Sequence, residues 1–204
     1  MDKAIIEKIS VGMPETNCYI FGCLCTQEAV IIDPGFESDK IKIRIAALKL
    51  KIKCIINTHG HIDHISADNE FNLPVFIHKN DGPFLKSPQM NLSQFFGRTV
   101  VVNNPVTLLN DNEIITVGTL SLKVLHTPGH TPGGICLLSE GIVFTGDTLF
   151  FQGIGRTDFP YGDEKAILTS IREKLLTLSG DTIIYPGHGP ASSIEAESKN
   201  NSYV

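Results

Sequence analysis

Residues Asn57 to His64 read Asn-Thr-His-Gly-His-Ile-Asp-His, so three histidines and an aspartate fall within six positions, directly behind the apolar run Cys54-Ile55-Ile56. Imidazole and carboxylate at this density and spacing are metal-ligand chemistry. If extended backbone runs on through Thr58, the rings of His59 and His61 point the same way, while Asp63 and His64 lie beyond on the next turn. One segment can then supply two adjacent metals. A lone histidine is usually a surface residue, but this cluster holds three of the chain's seven. Such a cluster needs distant partners, and His130, Asp147 and His188 each stand beside glycine or proline at the end of an apolar run.

A chain of 204 residues suits one domain, residues 1–204, with a proper core. Hydrophobic content of 42% and charged content of 19% are ordinary for a soluble protein. No apolar run approaches the roughly 18 to 20 residues that cross a bilayer, so no membrane partner is expected. The segment Met1 to Lys8 interrupts its apolar residues with charge and has no small-residue cleavage site, so residence in the cytoplasm is expected. Cys18, Cys23, Cys25, Cys54 and Cys136, odd in number and scattered, fit reduced thiols, with Cys23 and Cys25 alternating in a strand rather than pairing on a metal. A net charge of −5 exerts no global pull on nucleic acid, and none is expected as partner. Oligomeric state is not legible.

Strands are predicted at Ala4 to Val11, Asn17 to Leu24 and Glu28 to Ile32, with a helix from Ser38 to about Lys51 and a strand from Lys53 to Asn57. Asp63 to Phe71 reads as a short helix, Val75 to His78 as a strand, and Asn80 to Phe96 as short helices broken at Pro83 and Pro88. Further strands follow at Glu113 to Val117, Leu120 to His126, Gly134 to Leu138, Ile142 to Thr145 and Thr182 to Tyr185. Asp163 caps a helix whose Ile167, Ile171, Leu175 and Leu178 recur at helical spacing, and Ser192 with Glu195 forms a capping box for a closing helix. Two strand clusters, each followed by helices, argue for an α/β fold of two mixed sheets packed together with helices outside.

Four ordered motifs span nearly the whole chain. They are His59-x-His-x-Asp-His64, Thr127-Pro-Gly-His-Thr-Pro-Gly133, Phe144-Thr-Gly-Asp-Thr148 and Tyr185-Pro-Gly-His-Gly189. Together they resemble the metallo-β-lactamase fold superfamily, and more narrowly its glyoxalase II (hydroxyacylglutathione hydrolase) branch of short single-domain type. The resemblance implies a four-layer αβ/βα sandwich. It implies that His59, His61 and His130 hold one metal, that Asp63, His64 and His188 hold a second, and that Asp147 bridges. Asp63 and Asp147 would be the catalytic carboxylates. Two divalent ions are implied, zinc first, with iron or manganese as alternatives.

The implied activity is hydrolysis of a small-molecule thioester, S-D-lactoylglutathione among the candidates, by a metal-bound hydroxide. Lowering a water pKa from 15.7 to about 7 is worth roughly 12 kcal/mol, far more than a general base's typical ~10²–10⁴-fold contribution. An iron-dependent persulfide dioxygenase and a lactonase are the alternatives. A β-lactamase and an RNA nuclease fit less well, and a non-enzymatic metal-binding module is the bland reading. Arg156, in Gly155-Arg-Thr-Asp-Phe-Pro160, either meets an anionic substrate group or pairs with Asp158 to order its loop. Asp33 either orients a ligand histidine or only makes a turn, Asn17 is read as a turn residue, His126 as structural and His78 as ordinary. The chain ends 16 residues after His188, so no C-terminal helical glutathione-binding domain is expected. Gly189-Pro190 stands where two-domain relatives place an aromatic glutathione contact.

Overall fold

A computed structural model describes residues 4–204; residues 1–3, the start of the segment read for a secretion signal, lie outside the described residues. Strands β1 (Ala4–Val11), β2 (Thr16–Cys23) and β3 (Glu28–Ile32) form an antiparallel meander. All of β2 is buried because both its faces are covered. Tyr19 and Phe21 enter one apolar cluster and Cys18 and Ile20 another, the period of two that a strand imposes. Helix α1 (Ser38–Leu48) then carries the chain across to β4 (Lys51–Ile56), parallel to β3. Strands β5 (Val75–His78) and β6 (Val106–Leu109) add in parallel, giving the order β1-β2-β3-β4-β5-β6. Parallel neighbours require long crossovers, and the one between β4 and β5 contains α2 (Ile62–Ile65).

The second sheet starts as a meander of β7 (Ile114–Val117), β8 (Leu120–His126), β9 (Ile135–Ser139) and β10 (Ile142–Gly146). A small ribbon of β11 (Leu149–Phe150) and β12 (Gly153–Ile154) precedes α3 (Glu164–Ser170), which runs on as a π-helical turn over Ile171–Leu175. Strand β13 (Ile183–Pro186) pairs parallel to β10, and β14 (Ser192–Ser193) closes the order β14-β13-β10-β9-β8-β7 before α4 (Ile194–Asn200).

Three apolar layers hold these elements. Between the sheets, Phe21, Ile32 and Ile56 meet Leu122, Leu137 and Phe144, whose ring lies 5.1 Å from that of Tyr19. Outside the first sheet Ile41 of α1 packs with Ile31 and Ile55, and outside the second Ile167, Ile171 and Ile194 pack with Val143 and Ile184. Each such side chain contributes about 1.5–3 kcal/mol on burial. Helix, sheet, sheet, helix is the αβ/βα sandwich. Among the described residues no helix is long and apolar enough to cross a membrane, and all five cysteines are free thiols.

Several local expectations are corrected. β6 escapes the sequence reading because Val106, Thr107 and Leu108 are all exposed, so no alternation marks it. The first helix ends at Leu48, where Lys49 adopts a left-handed φ of 54°. The 63–71 helix divides into α2 and a 3₁₀ turn at Asp68–Glu70. Pro83 opens the 3₁₀ helix Gly82–Lys86 instead of breaking one, since its missing N–H costs nothing in the first turn. Ser192 is a strand residue paired with Ile184, and Ser193 provides the cap, accepting from the Ala196 N–H at 3.2 Å. Asp163 caps α3 as expected, at 2.9 Å from the Ala166 N–H.

Candidate metal centre

The centre forms where two parallel strand pairs end, β3 with β4 and β10 with β13. Carboxyl ends of parallel strands place successive loops side by side, which is where α/β sheets bind ligands. Asp33 follows β3 and Thr58 follows β4. The Asp33 carboxylate accepts from the Thr58 N–H and from its hydroxyl, both at 2.7 Å. That hydroxyl, committed as donor to Asp33, accepts from His59 Nδ1 at 3.2 Å and so leaves His59 Nε2 as the bare lone pair. Asp33 Oδ2 also lies 3.0 Å from His64 Nδ1. Asp33 therefore does more than make a turn. Gly35 of the same turn has no room for a side chain, since a Cβ would stand 1.7 Å from the Asp63 carbonyl oxygen.

Two further histidines are set from outside the cluster. His130 Nδ1–H donates to the Arg156 carbonyl at 2.7 Å, and His188 Nδ1–H donates to the Glu15 carbonyl at 2.7 Å. Each bond fixes the tautomer and turns the Nε2 lone pair inward. The His188 loop is in turn held by Asn17, whose N–H donates to Gly187 O at 2.7 Å and whose amide donates to Pro186 O and Gly189 O at 2.9 Å. Asn17 is thus a strand residue of β2 that braces a ligand loop.

The seven side chains named from the sequence converge. Ligand atoms of His59, His61 and His130 lie within 4.8 Å of one another, as do those of Asp63, His64 and His188, and those of His59, His64 and Asp147. Asp147 stands between the two histidine sets: Oδ1 is 3.4 Å from His64 Nε2, and Oδ2 is 3.5 Å from His130 Nε2 and 3.6 Å from His188 Nε2. Asp63 Oδ2 is 3.3 Å from His188 Nε2. Gly187 permits this closeness, because a Cβ there would lie 2.3 Å from Asp147 Oδ1.

Buried Nε2 atoms of His59 and His64, and Oδ1 of Asp147, have no hydrogen-bond partner. Unpaired buried polar atoms cost about 1–3 kcal/mol each, and cations coordinated by these lone pairs would satisfy all three. The donor set therefore fits metal ions. Burial, reinforced by neighbouring histidines, holds His59 and His61 well below the usual imidazole range, so both rings are neutral and their lone pairs could hold a metal. At His64 burial also opposes charge, but Asp147, Asp33 and Asp63 outweigh it and push the ring up to about 10. Burial likewise opposes charge on Asp63, yet His64 and His188 hold it well below the usual carboxylate range. Without metal the compensating charge is a proton on His64, and a cation bound by its Nε2 would displace that proton and take its place among the carboxylates.

Asp81 was not visible as a site residue in the sequence. Buried, it accepts from the Gly60 N–H at 2.9 Å, the Thr131 hydroxyl at 2.7 Å and the Gly133 N–H at 2.6 Å, clamping the His59–His61 turn to the loop that carries His130. His126 Nε2–H donates to the Pro132 carbonyl at 2.9 Å and its ring stacks 3.9 Å from that of His78, so both brace the same loop from behind. The Arg156 guanidinium forks onto Asp158, Nε to Oδ1 at 2.9 Å and Nη2 to Oδ2 at 2.7 Å, the loop-ordering alternative. Above the cluster opens a cavity of about 820 Å³, walled by Phe36, Phe96, Phe150 and Phe159 and reached by Arg98 and Arg156.

Residues 12–188 match the Metallo-beta-lactamase superfamily. Hydroxyacylglutathione hydrolase GloC of Haemophilus influenzae is 37% identical over 207 residues, covering 98% of this chain and 97% of that one. The crystal structure of BLEG-1 B3 metallo-beta-lactamase aligns with a TM-score of 0.91 at 36% identity, over 98% of this chain and 99% of the other. That of TTHA1623 in a di-iron-bound form aligns at 0.83 and 30% identity, over 97% and 100%.

Proposed function

The chain belongs to the metallo-β-lactamase superfamily, and from that premise we propose that it is a metallo-hydrolase of small acyl thioesters, glyoxalase II-like, with S-D-lactoylglutathione the first substrate to test. The observation that carries the reading is the convergence of two ligand triads on either side of Asp147. In this reading His59, His61 and His130 hold one ion, Asp63, His64 and His188 hold a second, and Asp147 serves both. A nitrogen-rich donor set with few carboxylates suits zinc first, and iron or manganese next. When bound, such ions supply Lewis acidity toward a carbonyl and lower the pKa of water by several units.

The chain's own residues do the rest. Asp63 and Asp147 offset positive charge, and His64 and His188 hold Asp63 ionised. The carbonyls of Arg156 and Glu15 keep His130 and His188 in the tautomer whose lone pair faces the centre. Phe159, 5.9 Å from the His61 ring, lines the cavity beside the first triad.

A β-lactam-hydrolysing reading is favoured by one observation, the likeness to BLEG-1 over the full chain. The deciding experiment is elemental analysis of purified protein with a panel of thioester, lactone and β-lactam, plus a persulfide followed by oxygen uptake. Thioester turnover that collapses in H61A supports the proposal. Full-rate hydrolysis by H61A, or turnover confined to the persulfide or β-lactam, overturns it.

A further inference from the structure

Two guanidinium groups reach the cavity above the metal cluster, and they differ in what already holds them. Arg156 is committed on both edges of its fork to Asp158 and stacks 4.3 Å from the Phe159 ring centre. Binding an anion would cost it a bidentate pair. Arg98 has no carboxylate within 4.0 Å among the described residues, and its one stacking contact is with the Phe36 ring at 5.4 Å. Glu37, an acid lining the same cavity, is taken by the Gly12 N–H at 2.8 Å and by Lys40 at 4.0 Å.

The backbone beneath Arg98 is fixed. Its N–H donates to Ser93 O at 2.9 Å, the Ser93 hydroxyl accepts from the Val100 N–H at 3.1 Å, and buried Asn91 donates to Val100 O at 2.9 Å. A hydrogen-bonded turn therefore presents one uncommitted cation on a wall that also carries Phe36, Phe96, Leu92 and the engaged Glu37. A chain with a net charge of −5 repels anions from a distance, so an anionic group seated away from the metal cluster needs a cation of its own. Guanidinium is the group whose fork matches a carboxylate or phosphate. A cavity of about 820 Å³ is in the range that takes a whole thiol carrier, well beyond an acyl group alone.

We infer that Arg98, and not Arg156, is the specificity-determining residue, and that it binds an anionic group on the thiol portion of the substrate. The word thioester rests on the function proposed above; the anion rests on the cavity. The shared chemistry is an oxyanion, either the carboxylate of a peptide thiol or the phosphate of a nucleotide thiol.

The test is calorimetric binding to the metal-loaded protein of thioethers that cannot be hydrolysed: S-hexylglutathione, S-ethyl-coenzyme A and the uncharged N-acetyl-S-hexylcysteamine. Wild type should prefer an anionic probe, and R98Q should lose at least about tenfold in affinity for it, the scale of one charge-assisted pair. R98K, with charge but no fork, should fall between them, and R156Q should stay within about twofold of wild type. A loss confined to the glutathione thioether assigns the carboxylate, and one confined to the coenzyme A thioether assigns the phosphate. Unchanged binding by R98Q, a larger loss in R156Q, or no anionic preference in wild type overturns the inference. Arg98-dependent binding without thioester turnover would sink the hydrolase reading alone; turnover with R98Q binding unchanged would sink this one alone.

Discussion

Asp81→Ala should loosen both ligand loops at once, because one buried carboxylate holds three donors from two segments. Removing it strands the Gly60 and Gly133 N–H groups and the Thr131 hydroxyl. Each buried donor left without its acceptor costs about 1–3 kcal/mol. Against this, burial pushes the Asp81 carboxyl up, so part of its desolvation is recovered when it is removed. Water entering the space left behind would re-pair some donors. A net loss of about 3 kcal/mol follows, a sizeable share of the 5–15 kcal/mol typical of a whole domain. Asp81→Asn keeps one oxygen but turns an amide donor toward the remaining donors, for about 1–3 kcal/mol. In a domain of this size about 3 kcal/mol lowers the melting temperature by roughly 6–12 °C. Urea unfolding of the metal-stripped protein, followed by circular dichroism, isolates the fold from metal linkage. Zinc titration of the folded variant should then show at least about tenfold weaker binding, since Gly60 lies between His59 and His61 while Thr131 and Gly133 follow His130. A loss below about 1 kcal/mol with unchanged zinc affinity would refute the clamp.

Gly187→Ala puts a methyl group 2.3 Å from Asp147 Oδ1, so metal content measured by mass spectrometry should fall sharply while far-ultraviolet dichroism stays native; undiminished content would contradict the packing. Asp147→Asn should lower metal content and cut thioester turnover by orders of magnitude, and a mild effect on turnover would point to a mononuclear centre. In metal-stripped protein His64 has a folded pKa of about 10, above the usual value, so its stabilisation is complete below about pH 6.5 and is lost as pH rises through about 10. The melting-temperature gap between wild type and His64→Gln should therefore be wider at pH 7 than at pH 10, and an equal gap at both would count against it. His59 and His61, depressed by burial, change charge only below this window.

The motifs already contained the seven converging side chains, most of which stand beyond strand ends beside a glycine or proline, while Asp63 and His64 sit on α2. His59 and His61 follow β4, Asp147 follows β10 and His188 follows β13. Strand alternation was equally readable: β1, β3, β5 and β8 run where hydrophobic periodicity put them. Less was legible where periodicity is absent. β6 is an exposed edge strand, and the segment from Gly82 to Phe96 is two 3₁₀ turns without a repeating apolar face.

Local pattern thus indicated most element types and two strand clusters backed by helices, and the motifs, through their family resemblance, implied the metal-binding residues and the four-layer sandwich. Tertiary structure alone decided which histidine nitrogen faces inward, that Asp81 and Asn17 hold the loops, and that Arg156 is engaged while Arg98 is uncommitted. The bond from Gly133 to Asp81 spans 52 positions and that from Asn17 to Pro186 spans 169. No periodicity encodes a contact of that kind, which comes into being only when the ends of parallel strands in two packed sheets bring their loops together.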